Sequence, residues 1–170
     1  MALSEKDLAL IGKESEPFHA PDDVCKCMIR HFCEMMEDAN PLYTDEEYAK
    51  KSKYGGIIAP PQMLMVWCMP RIWPWPEFPW MPMAELDLPG VDTWIATDMI
   101  HEFHKPVRPG DSLYYVMKLD SVSELKKTRI GEGHFITTTQ TYYNQKKEIV
   151  GREVRTVLKY KPKEEGKGGQ

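Results

Sequence analysis

Residues 57–69 read Ile-Ile-Ala-Pro-Pro-Gln-Met-Leu-Met-Val-Trp-Cys-Met, and apart from Gln62 they are apolar on every side. Proline is tolerated in the first turn of a helix, where its missing N–H has no partner to lose. Pro60 and Pro61 therefore mark a helix start, and Pro70 limits it. A helix that is apolar all round must be enclosed, so the rest of the chain has to supply the enclosure. From Trp94 onward the pattern changes to period two, which predicts strands over 94–103, 113–121, 133–143 and 148–160. Pro109-Gly110-Asp111 marks a turn, and Asn144-Gln145-Lys146-Lys147 marks a hairpin. The expectation is an α+β fold: consecutive antiparallel strands in a curved sheet wrapped around a long buried central helix.

The first half adds helices. Ile29, Phe32, Cys33 and Met36 recur at i, i+3, i+4, i+7, one buried face of a helix over 24–37. Asp22 and Asp23 are its expected caps. Asn40-Pro41 breaks it, Thr44 or Asp45 caps a short second helix through Tyr48 and Ala49, and Gly55-Gly56 ends that helix. In residues 73–82 four prolines alternate with Trp73, Trp75, Phe78 and Trp80. Such a run is neither helix nor central strand; it is a stiff, extended lid. It either covers the core or, with Trp67 and the methionines, widens a pocket for a bulky apolar group. One domain over 1–160 is expected, with a flexible charged tail over 161–170.

The 170 residues suit one core, and 42% apolar content can fill it. A net charge of −4 gives no basic face for phosphates, so a nucleic-acid partner is not expected. The basic run at 159–163 reads as a solvated, frayed end. The opening residues show no apolar signal core, and no apolar run approaches the roughly 20 residues that a membrane-spanning helix needs. Cys25, Cys27, Cys33 and Cys68 form no Cys-x-x-Cys pair and have no histidine at zinc spacing. Reduced cysteines and a cytoplasmic chain are expected, with neither metal nor cofactor implied.

The chemistry-bearing segment is 38–62. Asp38, Asn40, Tyr43 and Asp45 can present side chains at one place in a turn between two helices. Spacing alone leaves two readings open: helix capping, in which these side chains satisfy stray backbone N–H groups, or a site.

Asp38-Ala-Asn-Pro-Leu-Tyr43-Thr-Asp45, then Ala49 and Tyr54-Gly-Gly-Ile-Ile-Ala-Pro-Pro61, resemble the N-terminal signature of the MaoC-like dehydratases, which include the R-specific enoyl-CoA hydratases. Phe103-His-Lys-Pro-Val-Arg-Pro-Gly-Asp111 and Thr141-Tyr-Tyr-Asn144 extend the likeness over most of the chain. The resemblance implies the hot-dog fold and addition or removal of water at C2–C3 of an acyl thioester, carried by CoA or a carrier protein. In active members the signature ends in His, and Asp and His act on the water. Histidine suits that work because it titrates near neutrality.

Carried over, Asp38 and Asn40 match the family residues, while Tyr43 stands at the histidine position. With Asp38 and Asn40, Tyr43 is an expected catalytic-site residue, although a phenol that titrates near pH 10 is a poor base at neutrality. The family's His-Gly at the helix head is replaced by Pro60-Pro61, which removes two N–H donors. Gly55, Gly56 or Gln62 are the expected substitutes, and Trp67, Trp73 and Trp75 are expected to contact the acyl group. The pattern resembles the non-catalytic half of two-domain hydratases, which implies a homo- or hetero-oligomer in which a partner hot-dog subunit supplies the histidine. A non-catalytic acyl-CoA-binding or scaffold subunit is the second reading, and a hot-dog thioesterase the third. His101 and His104 are either sheet-edge residues or, with Asp98 and Glu102, a displaced acid–base pair or metal ligands; their spacing puts them on opposite faces of a strand. His134, His19 and His31 read as structural or surface residues.

Overall fold

The computed structural model describes residues 3–74 and 78–163. After a capped first turn, α1 (Glu5–Leu8), comes the two-residue strand β1 (Phe18–His19). Helices α2 (Lys26–Met36), α3 (Pro41–Thr44) and α4 (Glu46–Lys51) follow, then a 3-10 turn (Pro61–Met63) that runs into α5 (Leu64–Trp67). The remainder is β2 (Thr93–Phe103), β3 (Tyr114–Val122), the short β4 (Lys126–Lys127), β5 (Gly131–Tyr143) and β6 (Ile149–Pro162).

The sheet runs β1-β3-β5-β6-β2, with β4 paired to β5, and every pairing is antiparallel. The chain thus enters at one edge, crosses under the sheet through α2–α5, and returns at the other edge as β2. Bulges between Ala96 and Asp98 and between Leu119 and Ser121 shift the register; such extra residues bend and twist a strand. One core joins the helices to the sheet through Ile29, Cys33, Met63, Leu64, Trp67, Leu113, Tyr142 and Val150. A second cluster, including Leu10, Leu86, Leu119 and Ile136, closes the far end. This is the expected α+β hot-dog arrangement, and the expected strands match those observed to within two residues at their ends.

Four local expectations are corrected. The expected caps Asp22 and Asp23 do not cap α2: Cys25 stands at its N-cap with no side-chain bond, and Asp23 accepts from the Ser112 hydroxyl instead. Met36 is exposed while Ile29 and Cys33 are buried, because the left-handed Glu37 ends the helix before the stripe completes another turn. The central helix is buried but short. Pro60 and Pro61 remove donors at its head, and Cys68, with φ −98° and ψ 15°, leaves helical geometry before Pro70 is reached. The run at 159–163 is not a frayed end: Lys159 and Lys161 pair with His134 and Glu132 inside the sheet. The rest of the expected tail, 164–170, lies outside the described residues, as does Trp75.

Candidate functional site

The turn at 38–45 is tightly bonded to itself. Asp38 Oδ1 accepts from the Asn40 N–H at 3.0 Å, and Asn40 Oδ1 accepts from the Leu42 N–H at 3.1 Å, capping α3. Asp45 Oδ1 accepts from the Tyr48 N–H at 3.0 Å, capping α4. One orphan donor at the start of each of α3 and α4 is thus met by a short side-chain oxygen. Tyr43 is half-buried and packs on the main core. Burial raises its pKa above the ordinary phenol value, the Asp38 carboxylate and Cys33 add to the rise, and a hydrogen bond with the Asn40 side chain pulls weakly the other way. The phenol therefore stays protonated at neutral pH and acts only as a donor or a packing group.

Two glycines and two prolines shape the next segment. Gly55 holds a left-handed φ of +70°, open to glycine without strain, and its N–H is spent on Ser52 O at 3.1 Å. A Cβ on Gly56 would lie 4.0 Å from Arg108 Nη1. Arg108 Nη2 donates to Tyr54 O at 2.6 Å, and its backbone N–H is held by Asp111 Oδ2 at 2.8 Å, so this pair of glycines faces a fixed guanidinium. The N–H groups of Ile58, Ala59 and Met63 are given to Leu42 O, Val107 O and Pro60 O. Of residues 58–63, that leaves the N–H of Gln62, whose side chain is exposed.

A cavity of about 330 Å³ opens at the head of the short helix. Its floor is Pro60, Leu64 and Trp67, and its mouth carries Tyr54, Phe103 and Lys105. Apolar walls with a polar, partly basic rim suit a chain that is greasy at one end and charged at the other.

The expected site residues do not converge on one cavity. Trp67 lines the cavity at the helix head. Gly55 and Gly56 line a neighbouring cleft with Arg108, and Tyr43 lines a third cleft with Lys26 and Arg30. Trp73 is 84% exposed.

Sequence reasoning missed a polar cluster on the face of the sheet that α5 covers. Gly151, Glu153 and Arg155 alternate onto that face of β6. A Cβ on Gly151 would meet Leu64 Cδ2 at 2.6 Å, and Arg155 Nη2 lies 3.2 Å from Met65 Sδ. Glu153 is 1% exposed. Its carboxylate lies 2.5 Å from Arg155 Nη2 and 3.8 Å from Nε2 of His101, its cross-strand neighbour on β2. His104 lies beyond the end of β2, 3.5 Å from Glu102, and takes no part. His134 is buried with Nδ1 2.8 Å from Ser123 O, a structural contact. Among the described residues no group of three or more His, Cys, Asp or Glu is placed to hold a metal ion, and no helix is long and apolar enough to cross a membrane.

Comparison with known proteins fits this architecture. The family described as "FAS1-like, dehydratase domain region" matches residues 9–153. A probable enoyl-CoA hydratase alpha subunit from Thermomonospora curvata is 38% identical over 162 residues, covering 91% of this chain and 51% of that protein. The 3-oxo-4,17-pregnadiene-20-carboxyl-CoA hydratase alpha subunit of Mycobacterium tuberculosis is 31% identical over 156 residues, covering 87% of this chain and 48% of that one. The chain thus spans about half the length of these curated relatives. Among solved structures, a chain of the ChsH1-ChsH2 complex from Mycobacterium tuberculosis superposes with a TM-score of 0.81 at 28% identity, covering 94% of this chain and 91% of that one. A MaoC-like dehydratase from Rhodospirillum rubrum shares the fold, with a TM-score of 0.61 at 23% identity, covering 95% of this chain and all of that one. The family match, together with a sheet wrapped on a buried helix behind the Asp38–Asn40 turn, means that this chain belongs to the MaoC-like hydratase family, in its FAS1-like dehydratase-region branch.

Proposed function

We propose that this chain is the acyl-holding component of an enoyl-CoA hydratase or 3-hydroxyacyl-thioester dehydratase, and that a partner hot-dog subunit supplies the catalytic histidine. The observation that carries this is Tyr43. It occupies the position of the family's base, and burial beside Asp38 moves its pKa further from neutrality. The capping bonds of Asp38 and Asn40 support the same division of labour, since Oδ1 of each accepts from a backbone donor within the turn. Here the chain contributes binding and orientation. Proton transfer comes from the partner, as the word "alpha" in the relatives' names suggests.

The partner's seat is β2. It is an edge strand of 11 residues that carries exposed Trp94, Ile95, Met99, Ile100 and Phe103, whereas the opposite edge is the two-residue β1. A long apolar edge is a template for another strand unless it is covered, so pairing there would extend the sheet across two subunits. The acyl group is larger than a short straight chain: the central helix stops at Trp67, which leaves the sheet beyond it uncovered on the β2 side. The pregnadiene carboxyl-CoA in one relative's name is a ligand of that kind. Four free cysteines, two of them exposed, fit a cytoplasmic setting.

The test is hydration of crotonyl-CoA and of a bulkier enoyl-CoA, by the purified chain alone and then with a His-bearing hot-dog partner. Turnover only in the mixture is expected. Robust turnover by the chain alone at neutral pH refutes the need for a partner.

A further inference from the structure

The cluster on β2 and β6 is placed where the proposed acyl group would run out of helix. Leu64 and Trp67 floor the cavity at the helix head, and Leu64 rests on Gly151. Glu153 follows Gly151 on the same face of β6, roughly 7 Å further along at the usual rise per residue. On β2 the same step leads from Phe103, which lines the cavity, to His101. The cavity and the cluster are therefore neighbours on one surface.

On β2 that surface is apolar, while β5 places the buried Thr138 and Gln140 beside Arg155 and Glu153. Met99 and Phe103 flank His101 on its own face of the strand and are both exposed. Within it, Glu153 is buried, while the side chains of His101 and Arg155 are 27% and 31% exposed. The carboxylate thus lies beneath two donors that reach the surface.

Unmet hydrogen bonds collect here too. Among the described residues, the buried side-chain polar atoms with no hydrogen bond are Trp67 Nε1, Arg155 Nε and both oxygens of Glu153, whose close approach to Arg155 lacks hydrogen-bond geometry. Buried polar atoms are nearly always bonded, and exceptions call for a reason. A buried charged pair is weak evidence of stabilisation, since apolar side chains of similar size often serve as well or better.

We propose that His101 and Arg155, positioned by Glu153, form a receptor for a neutral oxygen, carbonyl or hydroxyl, carried on the part of the acyl group farthest from the thioester. This rests on the acyl-holding reading above. Guanidinium and imidazole N–H groups donate, so the ligand atom is an acceptor. Glu153 already balances the charge of Arg155, so a second carboxylate would be repelled and a neutral oxygen is favoured. The apolar flanks of Met99 and Phe103 fit the hydrocarbon that bears it.

The experiment uses the chain co-expressed with its hot-dog partner and three bicyclic acyl-CoAs that differ only on the distal ring: unsubstituted, ketone and alcohol. Kd is measured for each, with wild type, H101F and the E153Q/R155M double variant, which keeps the buried pair neutral and similar in volume. Wild type is expected to bind at least one oxygenated ligand about tenfold more tightly than the unsubstituted one, the worth of one well-placed bond. The ketone and alcohol arms show which oxygen is taken. The double variant should bind all three alike, at the wild-type affinity for the unsubstituted ligand, and H101F should lose part of the preference. Equal wild-type affinity for all three overturns the proposal but leaves the acyl-holding reading intact, and so does a preference that survives E153Q/R155M. Failure of all three to bind defeats the acyl-holding reading, and the proposal with it.

Discussion

Two polar regions of this molecule use the same residue types in opposite ways. The turn at 38–45 bonds to its own backbone: Oδ1 of Asp38, Asn40 and Asp45 each accepts from an N–H two or three residues on. The cluster at His101, Glu153 and Arg155 leaves buried atoms of Glu153 and Arg155 without hydrogen bonds. The first pattern stabilises a chain reversal. The second leaves buried polar atoms without hydrogen bonds, the observation on which the proposed receptor rests. The family's signature lies in the first region, and on the proposed reading it serves there as scaffolding.

The contrast breaks most readily at Arg155. Replacing it alone with Met leaves Glu153 buried without its ion pair. A loss of about 3 kcal/mol is expected, on the order of 10 °C in Tm, with partial exposure of the arginine keeping the cost at the low end. The E153Q/R155M double variant should recover most of that loss, measured by thermal denaturation of the co-expressed complex. If the single variant is as stable as wild type, buried Glu153 does not depend on its ion pair with Arg155.

Asn40→Ala removes the α3 cap and is expected to cost about 1 kcal/mol in urea denaturation. The hydration rate of the folded complex should be preserved; a large rate loss at unchanged stability would move Asn40 from scaffold to site.

Thiol labelling sharpens the comparison at the core between the two regions. Burial pushes the Cys68 thiol up from 9.0 to about 12, and Cys33 is also raised by burial and by Asp38. A raised folded pKa stabilises the protonated form, so this contribution is present below pH 9 and is lost as pH climbs toward 12. At pH 8, iodoacetamide should label the exposed Cys25 and Cys27 and spare Cys33 and Cys68. Rapid labelling of Cys68 would show that α5 opens readily.

The smallest effect is expected at Tyr43. Tyr43→Phe keeps the ring in the core and removes only the hydroxyl, so hydration by the complex should change less than about twofold. Its pH profile should show no limb from Tyr43 near neutrality, since the phenol pKa lies above the ordinary value.

Most of the fold was legible because period-two patterning is clear in β5 and the buried helix has few polar positions, although β2 is exposed along nearly its whole length. Met36 and the central helix were misjudged for a shared reason: backbone angles at Glu37 and Cys68 end those helices, and side-chain pattern says nothing of either. In the site, Tyr43 stood out by its departure from the family signature. Glu153 and Arg155 did not, although charges on the same alternate positions of a strand were a usable signal. What joins them to His101 is strand register, which places His101 opposite Glu153 across more than fifty residues of sequence. Trp73 reads as a lid aromatic but stands in solvent, on the side where Ile72 and Met69 are also exposed.

The most direct test is Asp38→Ala made in this chain alone, within a complex with the proposed His-bearing partner. The hydration rate constant is the quantity to measure. If the 38–45 turn is scaffolding, kcat should stay within about twofold of wild type after correction for folded protein, since the acid–base pair sits in the partner. A fall of about a hundredfold or more, the usual worth of a general acid or base, would contradict that account and return Asp38 to catalysis.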